Sequence, residues 1–293
     1  MQKIVPNLWY DKEAREAAEF YISIFDNATF IGSTILPDTP GGDSEFVVFQ
    51  LEGIRFEAIS GGPLFKFNPS VSLMVSCTSK EEVNLLWQAL SDSGTALMPL
   101  DSYPFSKWYG WIQDRYGLSW QIMYVEDKPS QKIIPALLFS EAVCGKAEEA
   151  MNHYTEIIKN SKIIRVDHYK KGEAKFREAN VKFGEFQLAG MNFIAMDHGL
   201  GGDFTFDEAF SFLITCETQE EIDYYWKALS AKPEYEQCGW LKDKFGFSWQ
   251  IGSSRMNDML MKGSPDQIKR VTKALLEMKK IDLGILEKEY SKK

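Results

Sequence analysis

Gln121 and Gln250 are the side chains with most to offer a ligand. Each closes a version of one phrase. Gly110-Trp111-Ile112-Gln113-Asp114-Arg115-Tyr116-Gly117-Leu118-Ser119-Trp120-Gln121-Ile122 returns as Gly239-Trp240-Leu241-Lys242-Asp243-Lys244-Phe245-Gly246-Phe247-Ser248-Trp249-Gln250-Ile251. A carboxamide brings one acceptor oxygen and two N–H donors without a charge, which suits a polar, uncharged group on a small molecule. Period-two alternation along a closing strand puts Ser119 and Gln121 on one face and Trp120 on the other, and likewise Ser248 and Gln250 against Trp249. Two readings stand for the glutamines: inward groups of a pocket, or structural partners of neighbouring loops. Trp9, Phe56, Trp108 and Trp111 form either the aromatic floor of a cavity or plain core. Asn68, after Gly61-Gly62-Pro63, either reaches the pocket mouth or closes its own turn.

Other chemistry is sparse. The three histidines, His153, His168 and His198, all lie in the second half of the chain. Asp197-His198 reads as a candidate metal-ligand pair or as a solvated loop. The four cysteines form no C-x-x-C pair, and Cys77 and Cys216, at equivalent points of the two halves, read as buried thiols. No Ser-His-Asp or Cys-His set recurs, so no catalytic residue is assigned. Gly61-Gly62-Pro63 lacks the spaced glycines of a nucleotide-binding turn, and its proline removes an N–H; methyl transfer from a nucleotide-type donor is not inferred.

The elements that position these groups follow from the repeat. The 293 residues are 44% hydrophobic with net charge −9 spread along the chain, which excludes a nucleic-acid or anionic-membrane surface. No apolar run reaches bilayer length and no signal segment precedes Ile4, so a cytoplasmic protein is expected. The first module covers 1–127: a strand at Ile4–Tyr10, a helix from about Asp11 to Phe25, strands to Ile59, a strand at Ser72–Ser76, and a helix opened by a capping box at Ser79 to Glu82. A polar loop to Pro104 and the closing strands complete it. The linker Glu126-Asp127-Lys128-Pro129-Ser130 leads to the second module, 131–253, whose loop at Lys232–Gln237 is shorter than its counterpart. Residues 254–293 form a helical tail, with helices starting near Ser264 and Ile281, expected on the outside of the second module.

Strand-helix-strands units ending in Asp-x-x-Gly-x-x-Trp-Gln-Ile resemble the vicinal oxygen chelate superfamily of glyoxalases, extradiol dioxygenases and bleomycin-resistance proteins. Within it they resemble the PhnB-like, 3-demethylubiquinone-9 3-methyltransferase-like branch. The supporting residues are Gly61-Gly62-Pro63 with Phe65-Lys66-Phe67-Asn68, the strand ending at Cys77, Glu81-Glu82-Val83 with Trp87, Cys238 to Gly246, and Met278 to Leu283. The resemblance implies an α+β fold of two tandem βαβββ modules forming curved mixed sheets that half-enclose cavities, with a C-terminal helical extension. In metal-using relatives a first-strand histidine and a last-strand carboxylate hold a divalent ion. The corresponding positions here read as Pro6 and Pro135, and as Gln121 and Gln250, so no metal or other cofactor is expected.

The resulting expectation is a metal-free small-molecule binding protein, or an enzyme of unspecified reaction, with ligand contacts from Trp9, Phe56, Asn68, Trp111, Gln121 and Gln250. The pocket is sought first in the copy that keeps the Gly-Gly-Pro loop. Two alternatives stand: a metal-dependent lyase, isomerase or dioxygenase with ligands relocated to Asp197, His198 and Glu57, and a non-catalytic fused pseudo-dimer. Partners are an unidentified small molecule and, as an option, a second copy of the chain; nucleic acid and membrane are not expected.

Overall fold

The repeated aspartate explains why the phrase is written twice. Asp114 Oδ1 accepts the backbone N–H groups of Tyr116 and Leu118 at 2.8 and 3.0 Å, and its Oδ2 accepts Trp120 Nε1 at 2.9 Å. Asp243 does the same with Phe245, Phe247 and Trp249 at 2.8, 3.0 and 2.9 Å. One carboxylate thus closes a turn and ties it to the buried indole of the next strand. Gly117 and Gly246 take the positive φ, 85° and 81°, that such a turn requires.

A computed structural model describes residues 2–292. The chain runs β1 (Ile4–Tyr10), α1 (Ala14–Ile24), β2 (Ala28–Thr39), β3 (Gly42–Leu51), β4 (Ile54–Ser60), then β5 (Val71–Cys77), α2 (Lys80–Ser91), β6 (Thr95–Tyr103), β7 (Ser106–Gln113) and β8 (Ser119–Tyr124). The second repeat gives β9 (Ile133–Phe139), α3 (Ala147–Ile157), β10 (Lys162–His168), β11 (Val181–Leu188), β12 (Met191–Asp197), then β13 (Phe210–Cys216), α4 (Gln219–Leu229), β14 (Trp240–Lys242) and β15 (Ser248–Ser253). The tail forms α5 (Ser254–Lys262), α6 (Pro265–Leu276) and α7 (Leu283–Ser291). The fold is α+β, and each sequence repeat contains the βαβββ pattern twice. The segment expected as a polar loop before Pro104 is strand β6. Its counterpart in the short 232–237 loop is a single 3-10 turn, so the last βαβββ pattern lacks one strand.

Two compact units result, and they are not the two repeats. Unit one contains residues 1–66 and 208–293; unit two contains 67–207. Unit one holds a sheet in the order β14-β15-β13-β1-β4-β3-β2, and unit two a sheet in the order β10-β11-β12-β9-β5-β8-β7-β6. The sheets centre on the antiparallel pairs β1–β13 and β5–β9, flanked by parallel neighbours. Each sheet therefore joins half of one repeat to half of the other.

Within unit two, α2 and α3 lie on the face that carries Trp120, Ile122, Phe193 and Ala195, as the alternation predicts for Trp120. Met151 of α3 sits on Gly184, which pairs with Ala195, and Trp87 of α2 sits on Gly110, which pairs with Ile122. In unit one, α1 packs Tyr21 near Phe49, which stacks on Phe56 at 5.4 Å, while Trp249 is fully buried beside Phe212 and Phe247. Burying one such aromatic ring contributes about 1.5–3 kcal/mol.

Helix α2 begins at Ser79, whose hydroxyl accepts Glu82 N–H at 3.1 Å. The reach of Glu82 is one residue longer than a capping box implies: its carboxylate accepts from Thr78 N–H at 3.2 Å. Thr218 and Glu221 repeat this, with Glu217 N–H at 2.9 Å.

The tail keeps its expected place only in part. Met278 and Lys279 accept the N–H groups of Cys238 and Gly239 of the second module at 2.8 and 2.7 Å, but its earlier helices reach the first repeat. Helix α5, which the sequence reading did not anticipate, follows β15 directly and crosses to β2, with Met256 over Gly252 and Met261 over Gly32; α6 also packs on β2. Asn257 of α5 donates to Glu57 Oε1 at 3.0 Å, on the face opposite Phe56 and α1. The tail thus covers the second face of unit one's sheet. Among the described residues no helix is long and apolar enough to cross a membrane.

Candidate functional site

Strand register decides which side chains share a face. In unit two, Gln121 of β8 stands beside Met74 of β5, which pairs with Ile134 of β9; on its other side Gln121 pairs with Trp111 of β7. Ser72, Ser119, Ala136 and Ile194 belong to the same face. Pro135 pairs with Leu73 and Pro6 with Phe212, so both prolines face the helices. The first-strand residues in register with the glutamines are instead Ile134 in unit two, through Met74, and Val5 in unit one, through Leu213, with Ala136 and Asn7 two residues further along the same faces. This corrects the assignment of Pro6 and Pro135.

Gln121 is held on both sides. Tyr109 Oη donates to its Oε1 at 2.6 Å, and its Nε2 donates to Ser72 Oγ at 2.7 Å. Burial pushes the Tyr109 phenol far above its ordinary value, so it keeps its proton and acts as the donor. That fixes which end of the amide is oxygen. One lone pair and one N–H of Gln121 are left for another molecule. Trp111 is fixed as well, its Nε1 donating to Ser119 Oγ at 2.7 Å. Around this pair Met74, Ala136 and Ile194 form a buried apolar cluster with half-buried Met123, Ile134, Phe183 and Met196 packed against it. Among the described residues, no helix of unit two lies on this face.

The same phrase is set differently in unit one. Gln250 Nε2 donates to Ser211 Oγ at 3.0 Å, but Cys238 stands where Tyr109 stands in the first copy. Trp240, the counterpart of Trp111, has its ring 6.2 Å from that of Trp9. Trp9 lies against Gly61, where a Cβ would come within 2.3 Å of the indole, and donates to Gly62 O at 2.7 Å. That contact gives the Gly-Gly-Pro loop its role. Gln250 and Trp9 share a face, by register through Leu213 and Val5.

The six expected site residues therefore divide. Trp111 and Gln121 come together in unit two; Trp9 and Gln250 lie on one face in unit one. Phe56 is on the helix side of its sheet, stacked on Phe49. Asn68 closes its own turn, accepting Ser70 N–H at 2.8 Å and donating to Thr205 O at 2.9 Å. Trp108 donates to Asn84 on α2 at 2.8 Å. Tyr109, Ser72 and the methionines were missed, although alternation extended from Gln121 to β5 and β7 selects them.

The residues do not fit a divalent ion of the superfamily's kind. Among the described residues no group of three or more His, Cys, Asp or Glu side chains converges. On the four central strands of unit two the inward positions, among them Ser72, Met74, Ser119, Gln121, Ala136 and Ile194, include no carboxylate, imidazole or thiolate. Asp197 spends its carboxylate on the N–H groups of Gly145, Ala147, Asn180 and Val181, at 2.7–3.2 Å. Burial lowers the pKa of His198, whose buried Nδ1 has no hydrogen-bond partner among the described residues. Glu57 belongs to unit one, where Arg55 and Asn257 engage it at 3.0 Å each.

Among solved structures the chain is similar to a PhnB protein from Bacillus cereus, with 37% identity over 42% of this chain and 100% of that one, TM-score 0.40. It is also similar to glyoxalase I from Zea mays, with 9% identity over 77% of this chain and 80% of that one, TM-score 0.51, a likeness of fold. No curated protein matches. The model of the family described as 3-demethylubiquinone-9 3-methyltransferase matches residues 2–123 and again 131–252, and the chain belongs to that family, with its module present in tandem.

Proposed function

We propose that the chain is a small-molecule binding protein whose ligand lies on the face of unit two's sheet that carries Trp111 and Gln121. The observation that carries this is the half-used amide of Gln121. Tyr109 and Ser72 hold it rigidly, and one donor and one acceptor remain beside an apolar floor of Met74, Met123, Ile134 and Met196. A pre-set donor–acceptor pair in an apolar surround is how small-ligand sites fix orientation. Methionines adapt to flat, polarisable surfaces. The complementary ligand is an aromatic or similarly planar molecule bearing one carboxamide or carboxylic group at its edge. Binding in this reading needs no protein-held metal, since the inward donors are an amide and hydroxyls. Methyl transfer, the activity in the family's name, is not part of it, because no glycine-rich turn for a nucleotide-type donor is present in Gly61-Gly62-Pro63.

The test is calorimetric titration of EDTA-treated protein with benzamide, benzoate and related aromatic amides and acids. Saturable binding is expected, weakened about tenfold or more in Gln121→Leu, which removes one to two hydrogen bonds, and unchanged in Gln250→Leu. The reading fails if no member of the panel binds at millimolar concentration, if Gln121→Leu binds as well as the parent, or if binding vanishes with EDTA and returns with a divalent cation.

A further inference from the structure

Strand β6 of unit two has no counterpart in the second repeat, where a single 3-10 turn replaces it. A second difference goes with it. Tyr109, whose phenol holds Gln121, stands in the copy that has β6, and Cys238 stands in the copy that lacks it. The β6–β7 hairpin turns tightly: Tyr103 pairs with Ser106, so Pro104 and Phe105 make the turn. The Phe105 ring lies 5.0 Å from that of Tyr109 at 79°, and 5.6 Å from that of Tyr103 at 19°. Tyr103 meets Tyr109 edge-on at 5.6 Å and donates its hydroxyl to Pro99 O at 2.8 Å. The three rings brace one another, and the Tyr103 hydroxyl ties them to β6. Phe105 nevertheless remains 60% exposed.

Register says which face this aromatic group serves. Tyr109 pairs with Met123, two residues along from the Trp111–Gln121 pair, so Tyr109 shares the face of Gln121. Met123 belongs to the apolar floor there. The Tyr109 ring bridges the distance between the amide and the tip: its hydroxyl is on Gln121 Oε1, and Phe105 is against its ring. A molecule taking the second lone pair of that oxygen would lie beside the phenol, with its far end over Met123 and facing Phe105. A lone exposed phenylalanine is ordinary. One braced by two tyrosines, at the end of the ligand face and in the copy whose amide is fixed, has the makings of a contact surface. Its ring offers an edge and a face to another ring, an attraction that a saturated ring does not share.

We propose that the β6–β7 hairpin tip is an aromatic clasp for the molecule bound at Gln121, with Phe105 the side chain that selects an aromatic ring over a saturated one. The inference rests on the reading of unit two given above and narrows its ligand class. The amide or acid group is carried on an aromatic ring, and that ring meets Phe105. Such a ring–ring contact is worth about two- to tenfold in affinity.

The probes are benzamide and cyclohexanecarboxamide, which present one amide on a flat and on a puckered ring. Each is titrated calorimetrically into the full chain. The parent should bind benzamide more tightly, by about two- to tenfold; Phe105→Leu should lose most of that ratio, and Phe105→Tyr should keep it. Gln121→Leu should weaken both probes alike, so the amide contact and the ring contact are read separately. Because Phe105 is exposed, Phe105→Leu should melt within about 2 °C of the parent, which separates lost selection from lost folding. The clasp alone is overturned if the parent does not distinguish the probes, or if Phe105→Leu keeps the parent's ratio, while Gln121→Leu still weakens both. If neither probe binds the parent, or if Gln121→Leu binds both as well as the parent does, the reading of unit two fails and the clasp fails with it.

Discussion

Replacing Asp114 with alanine tests the reasoning about the repeated phrase most directly. The side chain is 4% exposed and satisfies three donors: two turn amides, at 2.8 and 3.0 Å, and the indole of the fully buried Trp120, at 2.9 Å. Alanine has no acceptor, so all three lose their partner. An unsatisfied buried donor costs about 1–3 kcal/mol, which sets a ceiling near 9 kcal/mol; water entering the opened turn should recover the amides in part. The expected loss is about 3–5 kcal/mol, at the upper end for a single substitution. Asp114→Asn keeps an oxygen for the two amides but turns an NH2 toward the indole N–H, so about 1–3 kcal/mol is expected. The assay is urea unfolding followed by tryptophan fluorescence, in which Asp114→Ala should lower the midpoint by roughly 1–3 M. The control is Asp258→Ala, which removes only an exposed pair with Lys262 on α5, worth under about 1 kcal/mol. If Asp114→Ala and the control shift the midpoint equally, the carboxylate does not hold the turn and the account of the phrase is wrong.

Other outcomes follow from the same contacts. Tyr109→Phe should destabilise by about 1–2 kcal/mol and also weaken benzamide-class binding, because it frees the Gln121 amide to rotate; unchanged affinity in this variant would separate Gln121 orientation from binding. Burial raises the Glu57 pKa, against the pull of Arg55 and Asn257. A raised carboxyl favours the folded state below the ordinary glutamate value and loses that contribution as pH rises through the folded value. Melting temperatures of Glu57→Gln relative to the parent should therefore improve with increasing pH across that window, and a flat difference would contradict the burial assignment. Burial also pushes the Cys216 thiol up to about 12, so it should stay unreactive toward Ellman's reagent at pH 8 in the native chain and react after denaturation; native labelling checked by mass spectrometry decides it.

Much of this was legible because it is local. The Asp-x-x-Gly-x-x-Trp phrase specifies its own turn, and alternation correctly sent Trp120 to the helix side. The side-chain directions at the first strand were misread by parity. Trp9 and Pro6 are three residues apart in one strand and cannot share a face, so placing Trp9 toward a pocket already selects Asn7 and excludes Pro6. Helix α5 was missed although Met256, Met259 and Leu260 recur at helical spacing behind a serine cap. What no local pattern carries is pairing at long range: Asn7 meets Ser211, and Met74 meets Ile134, because each sheet borrows strands from both repeats. The asymmetry of the two glutamines was also hidden in plain alignment. The change from Tyr109 to Cys238 looks minor until the phenol is seen to hold the amide.

The split of the repeats bears on the order in which the chain can fold as it is made. Unit two is continuous, from residue 67 to 207, and has all its strands once that stretch has left the ribosome. The strands β1 to β4 are made earlier but wait for β13, whose first residue is Phe210. At elongation speeds of about 5–20 residues per second that delay, from Ser60 to Phe210, is on the order of 8–30 s. The inserted unit, not the one bearing the N-terminus, is then the first to reach its native state during translation, while a four-stranded piece with one unpaired central edge stands exposed to chaperones or to a neighbouring nascent chain.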